Sequence, residues 1–179
     1  IEALEKLGAK IEYRHMKREG AYFAHAHEGL KGAIITLPYP SIGATENTLL
    51  AAVRAKGSTT IHNAAIEPEI IDLILFLQKL GAHISMDGDR TIHIQGTEVF
   101  YPVEHSVIPD RIVAASLGIA ALATKGRVFV KGARHEHMIT FLNYIRQIGG
   151  GISISPNGIE FYYKKQCQGG VHIETGVHP

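Results

Sequence analysis

The chain repeats itself, and a repeat constrains architecture before any single motif is read. Leu4-Glu-Lys-Leu-Gly-Ala-Lys-Ile11 resembles Leu77-Gln-Lys-Leu-Gly-Ala-His-Ile84, and Ile145-Arg-Gln-Ile-Gly-Gly-Gly-Ile152 is a third copy. The glycines at 8 and 81 lie 73 residues apart, and those at 81 and 149 lie 68 apart. A second landmark pairs Ala55-Lys-Gly-Ser-Thr-Thr-Ile61 with Thr124-Lys-Gly-Arg-Val-Phe-Val130 at a shift of 69. Two landmarks that agree on the period define one recurring supersecondary module.

The module with the most residues in hand reads as follows. Residues 33–37 form an apolar strand and 38–43 a loop. Residues 44–56, rich in Ala and Leu, form a helix stopped by Gly57. A short strand at 59–62 precedes a second helix at 68–80, which opens with Pro68 at its first position beside two glutamates and ends at Gly81. Strands at 82–86 and 90–95 then make a hairpin around Asp87-Gly-Asp89. The predicted fold class is α/β, a repeated βαβαββ unit used at least twice, with the tail of a further copy at residues 1–11.

The layer order follows from the patterning. The 68–80 helix carries Ile70, Ile71, Leu73, Ile74, Leu75, Phe76 and Leu77, and residues 112–123 are similarly apolar, so both read as helices buried on most faces. Thr91-Ile-His-Ile-Gln95 alternates, as a strand with one wet face does. Helices are therefore expected inside and sheets outside.

Composition narrows the function classes. Hydrophobic residues make up 45% and charged residues 20%, with a formal net charge of +1 and scattered basic residues. That is the balance of a packed protein and not the electrostatic footprint of a nucleic-acid binder. The apolar run at 112–123 is too short to span a bilayer. The single cysteine, Cys167, excludes an internal disulfide and fits a reducing cytoplasm. It has only Lys164 and Lys165 nearby and is read as an incidental thiol. The chain opens inside a helix without Met and closes at Thr175-Gly-Val-His-Pro179, so it reads as an internal piece of a longer protein.

Chemistry is expected first at Tyr39, Pro40, Ser41, Ile42 and Gly43, ahead of a helix whose free N–H groups and positive end suit a phosphate. Gly43 would admit a close ligand and the Ser41 hydroxyl would donate to it; the bland alternative is a simple N-cap. Asp110 and Arg111 hold the matching place one repeat later, with the same two readings. The histidine pairs His25/His27 and His135/His137 could each share a strand face, but no third metal ligand is placed by the sequence. No metal and no cofactor are expected.

Several runs occur together in order: Gly29-Leu-Lys-Gly-Ala33, Pro40-Ser-Ile-Gly-Ala-Thr-Glu-Asn47, Asn63-Ala-Ala-Ile-Glu-Pro-Glu-Ile-Ile-Asp-Leu73 and Ile108-Pro-Asp-Arg-Ile112. The series resembles the UDP-N-acetylglucosamine 1-carboxyvinyltransferases, enolpyruvyl transferases of the EPSP synthase superfamily, over essentially the whole chain. The resemblance implies an inside-out α/β prism with two domains of three units each, residues 1–108 belonging to one and 109–179 to the other. It implies enolpyruvyl transfer from phosphoenolpyruvate to the 3′-hydroxyl of UDP-N-acetylglucosamine, the committing step of peptidoglycan synthesis. Tyr39, Pro40, Ser41, Ile42 and Gly43 would bind the nucleotide diphosphate, and Asp110 and Arg111 would line the interdomain cleft. The lid cysteine and the base aspartate of the family match no position here, so no catalytic residue is expected within this chain, which would need the remainder of the enzyme. Where many members continue Glu-Thr-Gly-Thr after Asp-Arg-Ile, this chain has Val113-Ala-Ala-Ser116. That departure motivates the alternative of a non-catalytic sugar-nucleotide-binding paralogue. RNA 3′-phosphate cyclase, with repeats of similar topology, fits the motifs less well.

Overall fold

The structure is a computed structural model that describes residues 1–17, 19–164, 167 and 171–177. It contains two compact units, Ile1–Ser106 and Val107–Gly176. Lys165 and the closing His178 and Pro179 lie outside the described residues.

The first unit runs α1 (Glu2–Lys6), β1 (Lys10–His15), β2 (Gly20–His25), β3 (Ile34–Thr36), α2 (Ile42–Ala52), β4 (Ser58–His62), α3 (Pro68–Lys79), β5 (His83–Met86) and β6 (Ile92–Gln95). β1 and β2 form an antiparallel hairpin of their own. The other four strands make one sheet in the order β3-β4-β6-β5, with β3 and β4 parallel and the remaining pairs antiparallel. A parallel pair needs a crossover, and α2 supplies it. Alternation along the strands sends Ile35, Ile61, Ile84, Ile92 and Ile94 into the core with Leu7, Leu49, Ile70, Ile74 and Leu77 of the helices. His83, Ser85, His93 and Gln95 face water from the opposite side. The helices therefore cover one face of the sheet and the other face is wet.

The second unit contains α4 (Arg111–Ala123), β7 (Arg127–Lys131), a 3₁₀ turn at His135–His137, α5 (Ile139–Gln147), β8 (Gly151–Ser155) and β9 (Gly158–Tyr162). Its sheet is antiparallel in the order β7-β9-β8. Ala114, Leu122, Leu142, Ile145, Ile159 and Phe161 form its core.

The repeat is conformational as well as textual. Gly8, Gly81 and Gly149 all take positive φ, at 99°, 109° and 81°. Each closes a helix with the same pair of bonds. At Gly81 the amide reaches the Gln78 carbonyl and the Ala82 amide reaches that of Leu77, both at 2.9 Å. Gly8 with Ala9, and Gly149 with Gly150, repeat the pattern. This double bond at a left-handed residue is a Schellman closure, which favours glycine because a Cβ there meets the backbone. Asn63 and Gly132, one repeat apart, share positive φ too, at 55° and 79°. Gly81→Ala is expected to destabilise the protein by at least about 1 kcal/mol, the usual penalty for an L-residue in left-handed backbone. The added methyl would also press on the Tyr101 ring, whose nearest atom would lie 3.0 Å away. Urea unfolding of the variant beside wild type measures the loss.

Three expectations need correction. The helix placed at 44–56 spans Ile42–Ala52, because Ser41 caps it two residues earlier and the chain leaves it in a wound turn before Gly57. Among the described residues the second unit lacks the opening strand of the first. Residues 97–105, which precede it, are bound instead to the first unit: Thr97 N–H donates to Val53 O, Tyr101 N–H to Leu80 O, and Arg54 to Glu98 O. Lys79 donates to His105 Nδ1 at 3.3 Å, so His105 Nε2 carries the proton it donates to Asp72 Oδ1 at 3.2 Å. These bonds hold the backbone of 97–101 and the His105 side chain against the first unit. Finally, α4 buries one face only among the described residues. Ala114, Gly118, Ala121 and Leu122 pack inward, whereas Ile112, Val113, Leu117 and Ile119 are exposed.

Candidate functional site

Because β3 and β4 are parallel, their carboxyl ends lie at the same edge of the sheet. Each leads through a short loop into a helix, β3 into α2 and β4 into α3. Two helix N-termini are thus brought to one end of the first unit, the place where open α/β sheets gather ligands.

Hydrogen bonds stitch the two loops together. Leu37 N–H donates to His62 O at 3.0 Å, and the Asn63 side-chain amide donates to Leu37 O at 2.8 Å. Thr45, fully buried, forms the tightest link. Its hydroxyl donates to Ser41 O at 2.8 Å and accepts from Ala65 N–H at 2.9 Å. Ala64 N–H reaches Arg90 O at 3.0 Å, which brings the β5–β6 connection to the same end. The Arg90 guanidinium lies 3.5 Å from Ala64 O and adds positive charge there.

Within this frame the five residues singled out from the sequence separate by role. Tyr39 is exposed, and Pro40 is buried, a packing residue that holds the turn. Ser41 is the N-cap of α2, its Oγ accepting from Ala44 N–H at 3.3 Å. That is the bland reading, and it does not exclude the other: the lone pair is used, while the hydroxyl proton remains available to a ligand. Ile42 and Gly43 are in the first helical turn, and their N–H groups have no partner among the described residues. First-turn amides cannot be satisfied within the helix, so two donors point outward at its positive end. A methyl group placed on Gly43 would meet nothing within 4 Å. Gly43 is neither left-handed nor crowded by its own chain, so the fold does not require glycine there.

Asp110 and Arg111 belong to the second unit. Asp110 caps α4, its Oδ1 accepting from Ile112 N–H at 2.7 Å and Val113 N–H at 3.1 Å. Ser41 and Asp110, one repeat apart, are therefore equivalent N-caps. α4 continues unbroken through Val113-Ala-Ala-Ser116, and Ser116 Oγ donates to Ile112 O.

His135 and His137 sit in a 3₁₀ turn, where a two-residue spacing no longer shares a face as it would on a strand. The His25 and His27 rings approach to 4.6 Å, but no cluster of three or more metal-ligating side chains exists among the described residues. Cys167 is half-buried in an apolar depression with Ile119, Leu122, Ile145 and Ile148. No helix among the described residues is long and apolar enough to cross a membrane.

The residues missed by sequence reading include those that join loops, Thr45, Asn63 and Arg90, and Glu67, which is buried beside them. Of these, Asn63 had a signal, since an asparagine directly after a strand tolerates the left-handed backbone it adopts.

The family model for EPSP synthase (3-phosphoshikimate 1-carboxyvinyltransferase) matches residues 1–179. The chain is 69% identical over its whole length to a UDP-N-acetylglucosamine 1-carboxyvinyltransferase of Protochlamydia amoebophila, of which it covers 38%. It is 60% identical to that of Chlamydia trachomatis serovar D, covering 39%, and 42% identical to enzyme 1 of Staphylococcus aureus strain N315, covering 41%. The chain thus spans about two fifths of the length of these relatives. Among solved structures, the enolpyruvyl transferase NikO from Streptomyces tendae superposes with a TM-score of 0.76 at 19% identity, over 92% of this chain and 41% of that one. An EPSP synthase from Acinetobacter baumannii gives 0.63 at 19% identity, over 90% and 38%. At that identity the two structures speak for the fold.

Proposed function

Because the chain belongs to the EPSP synthase family, we propose that it is part of a UDP-N-acetylglucosamine 1-carboxyvinyltransferase of peptidoglycan synthesis, working in the cytoplasm. The whole enzyme joins the sugar 3′-hydroxyl to C2 of phosphoenolpyruvate and then expels phosphate. Within this chain, the start of α2 binds the nucleotide diphosphate. The observation that carries this is the combination at Ser41–Gly43: two unused amides, a hydroxyl with a free proton, and open space over Gly43. Such donors at a helix N-terminus match phosphate oxygens without needing a cationic side chain. Tyr39 and Arg90 border the same end, while Asp110 and Arg111 serve the second domain, which begins near residue 109. The lid cysteine and the base aspartate come from the rest of the longer protein.

A non-catalytic paralogue would keep the diphosphate site and lose turnover. Identity of 69% over all 179 residues to a protein named UDP-N-acetylglucosamine 1-carboxyvinyltransferase favours the enzyme. Phosphate release by the full-length protein, supplied with both substrates, separates the two; no release sinks the enzymatic reading.

Gly43→Ala tests the diphosphate site with effects of opposite sign. Replacing a helical glycine by alanine where nothing crowds the methyl stabilises by about 0.5–1 kcal/mol. The same methyl stands where a phosphate oxygen would approach, so UDP affinity is expected to fall about tenfold or more, the loss of one good contact. A variant that melts higher and still binds UDP with unchanged affinity would remove the ligand from this helix end.

A further inference from the structure

Glu67 is 8% exposed, and its Oε2 is buried with no hydrogen-bond partner. It occupies the N-cap position of α3 without using its side chain as a cap. The following residue is Pro68, which has no N–H to offer, so the nearest backbone donor is missing by sequence. A desolvated carboxylate without a donor is costly, and native proteins keep one where something else completes it. The other buried polar side-chain atom without a partner among the described residues, Thr59 Oγ1, is on the inward face of β4, a hydroxyl surrounded by core. Glu67 is different in place: it ends the 63–67 segment that Thr45 and Asn63 bind to the Ser41 loop.

We propose that Glu67 is a specificity residue of this end of the first unit, its carboxylate accepting a hydrogen bond from a neutral donor of the bound sugar nucleotide, a hydroxyl or amide N–H of the group beyond the diphosphate. This rests on the diphosphate reading of the α2 start. A carboxylate repels phosphate, so it cannot be matched by the diphosphate itself; it is matched by the uncharged, donor-rich part of such a ligand. The result is a division of labour: amides and hydroxyl for the anion, a carboxylate for the sugar.

The test uses the full-length protein, calorimetric titration, and two probes, UDP and UDP-N-acetylglucosamine. Glu67→Ala is expected to weaken UDP-N-acetylglucosamine about tenfold or more, as loss of a charged acceptor does, while UDP binds within about twofold of wild type. Glu67→Gln, which keeps the volume and a weaker acceptor, falls between, and it stands in if the alanine variant does not fold. Equal loss for both probes would mean that the loops have merely collapsed, and overturns the proposal. So does unchanged binding with a lowered melting temperature, which would assign Glu67 to an ion pair with the remainder of the protein. If wild type itself binds UDP-N-acetylglucosamine but not UDP, the diphosphate reading fails first and takes this one with it.

Discussion

Phe161→Ala is expected to destabilise the full-length protein by about 3–5 kcal/mol, the range for removing a large aromatic side chain from a packed core. Phe161 is fully buried on β9, the central strand of its sheet, and its ring meets that of Phe141 edge-on at 6.1 Å. The reason it cannot be spared lies in the helix above it. A Cβ added to Gly118 would come within 3.0 Å of the Phe161 ring, so α4 rests directly on that ring. One repeat earlier, the position of Gly118 is held by Leu49 and that of Phe161 by Ile94, both buried. The first unit fills its centre with two medium side chains, the second with none from the helix and a large one from the strand. The pair is therefore coupled. Gly118→Ala alone should overpack and cost about 1–3 kcal/mol. Combined with Phe161→Leu, which vacates the space the methyl needs, it should cost less than the two single losses added together. Urea unfolding of the four proteins gives the cycle; strict additivity would show that helix and strand do not share this space.

The same exchange explains what the sequence could and could not show. The period was legible because glycines at 8, 81 and 149 are imposed by backbone geometry, and geometry repeats wherever the helix-to-strand turn repeats. Helix and strand types were legible from alternation and from all-round apolarity. The missing strand of the second unit was not. Nothing in residues 97–105 forbids a strand locally; their commitment to Val53, Leu80 and Asp72 is a tertiary choice. For the candidate site, the Ser41 helix start could be read because capping is local, within four residues. The bonds that set the second loop beside it connect positions about twenty residues apart, and periodicity carries no trace of them. Glu67 lay in a motif quoted for family resemblance, yet its burial without a donor is visible only in three dimensions. The all-round apolarity of α4 remains half used within these residues, with Leu117 and Ile119 in water.

Thr45→Val should be the most damaging conservative change at the candidate site. The two side chains have nearly the same shape, so packing is kept and only the hydroxyl is lost. That hydroxyl makes two bonds, and they differ in consequence. The donor bond to Ser41 O can be dispensed with, because Thr45 N–H also donates to that carbonyl at 2.9 Å. The acceptor bond cannot: Ala65 is fully buried, and its N–H would be left facing a methyl group. An orphaned buried donor costs about 1–3 kcal/mol. Thr48→Val is the control, one helical turn on and equally buried. Its hydroxyl donates to Ala44 O at 2.7 Å and accepts no hydrogen bond among the described residues, so its loss strands no donor and should cost under about 1 kcal/mol. Binding should separate the pair further. Thr45 holds the 63–67 loop against the start of α2, so Thr45→Val should weaken UDP-N-acetylglucosamine along with stability, Thr48→Val should leave it unchanged, and Thr45→Ser, which restores both bonds, should recover most of the affinity. Equal melting temperatures and equal affinities for the two valine variants would show that the loops are held together by packing and not through Thr45.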